Sequence, residues 1–191
     1  MQTKRAQIRT AAILVIMLAI GTQGAFAQTP KTSETPARVE LFGGYSYLRL
    51  NAASGGSAGL NGWAADTQVN VNRRFAVAAS VNGAYGNQSG ADLRLYTFLA
   101  GPRLSYRTGR ANLFVHALAG AARLGASAAG VEDNATSFAA ALGGGVDVKL
   151  SRRLAVRVFQ TDYLLTKLAE NTQHNFRLSS GIVIRLGNTG K

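Results

Sequence analysis

The chain has no cysteine. Disulfides and cysteine-based metal or redox chemistry are therefore excluded, and the fold must hold by packing and hydrogen bonding alone. There are two histidines, and neither shares metal-ligand spacing with carboxylates, so no cofactor is expected. Beyond residue 27 no apolar run approaches the roughly twenty residues that a membrane-crossing helix needs, and helical periodicity is scarce. A membrane protein with this sequence would have to cross with strands. Acids are also few, nine against 21 Lys and Arg, for a formal charge of +12.

The first residues account for part of that excess. Lys4, Arg5 and Arg9 precede an apolar run from Ala11 to Ile20 and a small-residue stretch ending Ala25-Phe26-Ala27. A basic start, a short apolar centre and an A-x-A pattern describe a secretory signal peptide, residues 1–27, with cleavage expected after Ala27. Its removal takes three positive charges and no acid, leaving 12 − 3 = +9. A basic balance raises nucleic-acid binding, but export leads away from nucleic acid, and anionic lipid or glycolipid phosphates fit an exported chain better. Residues 28–38 contain TPKTSETP and read as a flexible leader, residues 39–187 as one domain, and 188–191 as a tail.

Within that domain the dominant signal is alternation with a period of two, which places successive side chains on opposite faces of a strand. Ala64, Asp66, Gln68, Asn70 and Asn72 share one parity and Trp63, Ala65, Thr67, Val69 and Val71 the other. Similar alternation runs through 75–86, 137–150 and 175–186. Four more segments are less clean. Phe42 and Leu48 blur 39–50, and Pro102 implies a bulge or break within 95–107. The phase of 113–124 is open, and in 154–166 Arg157 and Asp162 fall on opposite parities, which requires a bulge or an interfacial position. Gly143-Gly144-Gly145 lies inside a strand and reads as a bulge or close-packing site, not as a phosphate loop.

The connections alternate in length, as in outer-membrane barrels. Asn51–Leu60, Asn87–Leu93, Gly125–Thr136 and Lys167–Gln173 read as long outer loops. Arg73-Arg74, Thr108–Asn112 and Ser151–Arg153 read as short turns. Arginines cluster at the turns, and Asp92, Glu132, Asp133 and Glu170 fall in the loops. Tyr47, Trp63, Tyr85 and Tyr96 near the loops, and Phe75, Tyr106 and Phe114 near the turns, suggest two interfacial aromatic girdles. The architecture expected is all-β, an eight-stranded antiparallel up-and-down transmembrane β-barrel with both termini in the periplasm.

Phe42–Tyr47, Phe98–Arg107, Phe114–Ala117, Asp162–Leu164 and Ser180–Val183 together resemble, in order and spacing, the OmpA-like outer-membrane β-barrel domain family. The resemblance runs from about Val39 to Gly187. It implies a Gram-negative cell envelope, insertion by the outer-membrane assembly machinery, contact with outer-membrane lipid and glycolipid, and a monomer. With the polar parity inward, Glu40, Asp66, Arg103, Asp147, Arg157 and Arg177 gather in the lumen, and Arg185 caps its rim. Eight strands enclose only enough space for side chains, so those charges are expected to pair and plug the barrel. The function expected is structural and interactive. A soluble periplasmic barrel carrying a lipid, a lipid-modifying enzyme and a narrow porin are the alternatives. His116 reads as a structural lumenal residue, and His174 lies near Ser179 and Ser180 without a strained nucleophile turn.

Overall fold

The computed structural model describes residues 37–51, 57–88, 91–128, 131–168 and 171–187. The expected signal peptide, most of the expected leader and the expected tail lie outside these residues. Eight antiparallel strands follow one another around a closed barrel. They are β1 Val39–Asn51, β2 Ser57–Asn70, β3 Phe75–Gln88, β4 Ala91–Thr108, β5 Ala111–Ala128, β6 Val131–Lys149, β7 Leu154–Leu168 and β8 Asn171–Leu186. Pairing of β1 with β8, from Val39 opposite Leu186 to Arg49 opposite Phe176, closes the sheet and leaves no free edge.

The polar parity faces inward. Gln68, Ser80, Asn82, Thr97, Arg103, Asp147, Arg157 and Arg177 are buried, while Val69, Val77, Phe98, Leu104, Leu142, Leu178, Ile182 and Ile184 are exposed. An apolar band on the outside is stable only against hydrocarbon, and it also settles the blurred strands. Phe42 and Leu48 both point into the lumen. In β5 the inward set is Phe114, His116, Leu118 and Ala122. Phe114, expected in an interfacial girdle, is therefore a correction: it is 3 % exposed and sits inside.

The two irregularities have local causes. The β4–β5 ladder is interrupted at Gly101 and Pro102, where proline has no N–H to give, and resumes in the same register at Arg103 opposite His116. In β7 the pairing to β8 shifts between Arg157 and Gln160. Val158 and Phe159 both face out across this bulge, so Arg157 and Asp162 both face in.

Most of the expected long loops are strand. The hairpins extend until only residues 52–56, 89–90, 129–130 and 169–170 separate the strands. β4, β5 and β6 run 18, 18 and 19 residues, well beyond the roughly 9–11 that cross a bilayer. Past the hydrocarbon both faces of a strand are wet, so the composition turns polar and glycine-rich without the chain leaving the sheet. Asp92 is exposed on β4 and accepts a hydrogen bond from Asn87 Nδ2 at 3.0 Å. The side chains of Glu132, Asp133 and Glu170 lie outside the described residues.

The glycines of β6 make room. Across the sheet His116, Gly143, Asp162 and Arg177 are successive register partners. A Cβ at Gly143 would meet the Asp162 carboxylate and the Thr161 carbonyl, and one at Gly145 would lie 2.8 Å from Phe114 Cζ. Only because residue 143 has no side chain can His116 reach over it to Asp162. Gly143→Ala is expected to destabilise the detergent-solubilised barrel by about 1–3 kcal/mol through overpacking. Gly43→Ala, whose added methyl meets nothing within 4 Å, should leave stability unchanged. The urea midpoint of the gel band that shifts on boiling reads both.

Candidate functional site

The start of β1, the end of β8 and the turns at 71–74, 109–110 and 150–153 share one end of the barrel, the turn end, and the extended hairpins form the other. From the turn end to mid-barrel the lumen is a charged network. Asp147 accepts hydrogen bonds from Arg157 Nε at 2.8 Å and Arg103 Nη2 at 3.0 Å. Arg157 Nη1 donates to Asp66 Oδ2 and Gln160 Oε1, each at 2.6 Å. Gln160 Nε2 in turn donates to Asp162 Oδ2 at 2.8 Å. Asp162 also receives Arg177 through Nη2 at 2.7 Å and Nε at 2.9 Å, and lies 2.7 Å from His116 Nε2. At the turn end Glu40 accepts from Gln68 Nε2 at 2.8 Å and faces Arg107 and Arg185, each at 3.6 Å.

All six expected lumenal residues face inward: Asp66, Arg103, Asp147, Arg157 and Arg177 lie in one connected set, and Glu40 anchors a separate cluster with Gln68, Asn70 and Arg107 at the turn end. Arg185 closes that cluster near the rim. Sequence reasoning omitted Asp162, which receives two side chains besides Arg177, and Gln160, which links the two halves. Charge is further stabilised by aromatic faces. Arg103 Cζ lies 3.4 Å above the Phe114 ring centroid, and Arg157 Cζ lies 4.1 Å from that of Phe42 and 4.7 Å from that of Phe114. Cation–π contact of this desolvated kind contributes up to about 2 kcal/mol, and it serves Arg103, whose Nε has no hydrogen-bond partner.

Toward the hairpin end the lumen changes character. Leu48, Leu60, Leu95, Leu99, Leu118 and Leu164 pack with alanines into an apolar plug. The interior is therefore only partly the polar one expected. Where the two zones meet, a cavity of about 10 Å³ is lined by Ser46, Asn82, Thr97 and Arg177 among others. It has room for about one water, and the buried Asn82 Oδ1, which no protein group satisfies, lines it.

On the outside near the hairpin end, aromatic residues from neighbouring strands join into a plate. Tyr45 donates its hydroxyl to Asn61 Oδ1. Trp63 Nε1 donates to the Tyr85 hydroxyl at 3.4 Å, and the Tyr85 and Tyr96 hydroxyls are 3.0 Å apart. The Tyr85 and Tyr96 rings meet edge to face at 5.8 Å. Exposed Arg94 is the register partner of Tyr85, and exposed Arg123 that of Tyr96. Exposed Arg49 flanks the plate on β1. Tyr47, Trp63, Tyr85 and Tyr96 thus face outward at one end, and Phe75 and Tyr106 face outward at the other.

A closed eight-stranded barrel with an apolar exterior and a paired interior has a family to match. Residues 12–182 fit the model of the outer membrane protein beta-barrel domain. The chain belongs to that family. It is an outer-membrane barrel, and solved structures share its fold. Neisserial surface protein A superposes with a TM-score of 0.70 at 14% identity, over 78% of this chain and 98% of that one. Ail, the attachment invasion locus protein of Yersinia pestis, gives 0.56 at 17%, over 78% and 99%. The N-terminal barrel of Pseudomonas aeruginosa OprF gives 0.52 at 10%, again over 78% and 99%. At such identities the likeness concerns the fold. No curated protein matches the chain.

The two histidines of this outer-membrane barrel have separate surroundings. His116 is inside, against Asp162, and His174 Nδ1 meets the Tyr163 hydroxyl on the exterior. The strongest energetic dependence falls on Asp162. Asp162→Ala strands Arg177 and His116 without their carboxylate, and an orphaned buried charge costs about 3–5 kcal/mol. Arg185→Gln, at a partly exposed pair 3.6 Å apart, should cost less than about 1 kcal/mol. Urea titration of the refolded, detergent-bound variants is expected to separate the two clearly.

Proposed function

We propose that this outer-membrane barrel is a structural and interaction protein without catalytic turnover, whose lumen is sealed and whose working surface is its exterior at the hairpin end. The observation that carries this reading is the aromatic plate of Tyr45, Trp63, Tyr85 and Tyr96 bordered by Arg49, Arg94 and Arg123. Aromatic faces suit sugar rings, and guanidinium forks suit phosphates. Phosphorylated glycolipid carries both. With the termini in the periplasm, the hairpin end lies in the outer leaflet, where such a lipid resides. The sealed lumen is supported by the charged network in one half and the leucine plug in the other, with a cavity for about one water where they meet.

Two measurements test this. In native mass spectrometry from neutral detergent, the protein should retain a bisphosphorylated glycolipid about tenfold better than its dephosphorylated form, and R94Q/R123Q should remove most of that preference. Equal retention of the two lipids, or an unchanged preference in the folded variant, would overturn the glycolipid reading. In planar bilayers the wild-type protein should give no stepwise conductance, and regular single-channel steps would overturn the sealed lumen.

A further inference from the structure

The turn end repeats one piece of chemistry on opposite sides of the barrel. In the β2–β3 turn, Asn72 Oδ1 accepts hydrogen bonds from the backbone N–H groups of Arg74 at 2.9 Å and Phe75 at 2.8 Å. In the β6–β7 turn, Ser151 Oγ accepts from those of Arg153 at 3.3 Å and Leu154 at 3.1 Å. The backbone follows suit. Val71 and Asn72 both donate to the Phe75 carbonyl, and Leu150 and Ser151 both donate to the Leu154 carbonyl. Val71-Asn72-Arg73-Arg74-Phe75 and Leu150-Ser151-Arg152-Arg153-Leu154 are therefore the same turn built twice. Each is an apolar residue, a short polar side chain that ties the turn from within, an arginine pair, and an apolar return.

In both turns the tied backbone leaves the arginine pair exposed. Arg110 in the intervening β4–β5 turn and Arg38 before β1 are exposed as well. Among the described residues the carboxylates at this end are Glu40 and Asp147, both buried in the lumen, so the exposed charge there has one sign. Apolar side chains lie in the same turns. Val71 is 64 % exposed and Leu150 62 %, with Tyr106 close by at 65 %. An apolar residue beside a guanidinium pair belongs at the boundary where hydrocarbon meets head-group phosphate, with the arginine stem on the apolar side and its fork at the phosphate.

We propose that Arg73–Arg74 and Arg152–Arg153 are two equivalent sites for the phosphodiester head groups of anionic phospholipids in the leaflet around the turn end. Arg110 and Arg38 extend the cationic rim between them. The apolar residues select a lipid over a soluble anionic polymer, because a polymer would leave Val71 and Leu150 in water. This inference uses the membrane barrel but not the glycolipid plate, which lies at the opposite end and is tested with different variants.

The test is native mass spectrometry of the full protein from neutral detergent with equimolar phosphatidylglycerol and phosphatidylcholine. The wild type should retain phosphatidylglycerol preferentially. R73Q/R74Q/R152Q/R153Q should lose at least about tenfold of that preference while keeping its heat-modifiable mobility. A wild type that retains both lipids equally, or a folded fourfold variant that still prefers phosphatidylglycerol, would overturn the proposal. Sedimentation of the detergent-solubilised protein with isolated cell-wall sacculi, abolished by the same four substitutions, would assign the arginines to an anionic wall polymer instead and overturn the lipid reading. If the fourfold variant does not fold, R152Q/R153Q alone should remove about half of the excess phosphatidylglycerol retained, and no loss would overturn the proposal.

Discussion

Closing eight strands into a barrel leaves an interior wide enough for side chains and too narrow for bulk solvent, and every buried charge in this protein answers to that constraint. An isolated guanidinium or carboxylate there would carry a desolvation penalty of several kcal/mol. Arg157 avoids it by reaching Asp147, Asp66 and Gln160 at once, and Asp162 avoids it by receiving Arg177, His116 and Gln160. The network has consequences for the backbone. It requires glycine at 143 so that His116 and Asp162 can meet over an empty position, and a bulge at 158–159 so that Arg157 and Asp162 can share the lumen. Features that look like irregularities of the sheet are therefore conditions of charge pairing.

The same constraint has a second solution in the hairpin half, where leucines and alanines fill most of the lumen and the buried Asn175 donates to Thr166 at 3.2 Å. The two solutions differ in what they specify. An apolar plug tolerates sliding of one strand against another, since leucine against alanine has no preferred partner. A hydrogen-bonded ion network does not, because a shift of one residue would expel its members to the lipid face. The charged half thus fixes register, which the apolar half inherits through strands that run continuously from one to the other.

This division explains what was legible in the sequence. Alternation in 61–72 is plain because its inward residues, Asp66, Gln68 and Asn70, contrast with Trp63, Val69 and Val71. Alternation in 113–124 fails because the strand spends much of its length beside the apolar plug, so Leu118 inside and Ala117 outside look alike. A usable signal was still present there. Asn112 and His116 flank Phe114 at the same parity and mark that face as lumenal, which places the ring inside. In 154–166 the adjacent apolar pair Val158-Phe159 between Arg157 and Gln160 is the mark of the phase change that carries Asp162 inward. The hairpin extensions look like loops in the sequence because alternation disappears once both faces of a strand are hydrated. Composition then reports solvent, and the ladder that continues through it is invisible.

The exterior obeys a different rule from the interior, because its charges are free to meet the membrane. Every carboxylate buried in the barrel faces arginine, and the arginines not needed inside are placed at the two rims. At the hairpin end they border a hydrogen-bonded aromatic plate, whereas at the turn end they stand in pairs on tied turns beside single apolar residues. A random scatter of solubilising charge would mix signs and would not repeat a five-residue turn with the same hydrogen bonds on opposite sides of the barrel. The interior network accounts for Arg103, Arg157 and Arg177, and their removal should be felt as stability. The exposed rim arginines stand outside that network, so the same substitution there should leave the fold intact and change only what the membrane presents to it.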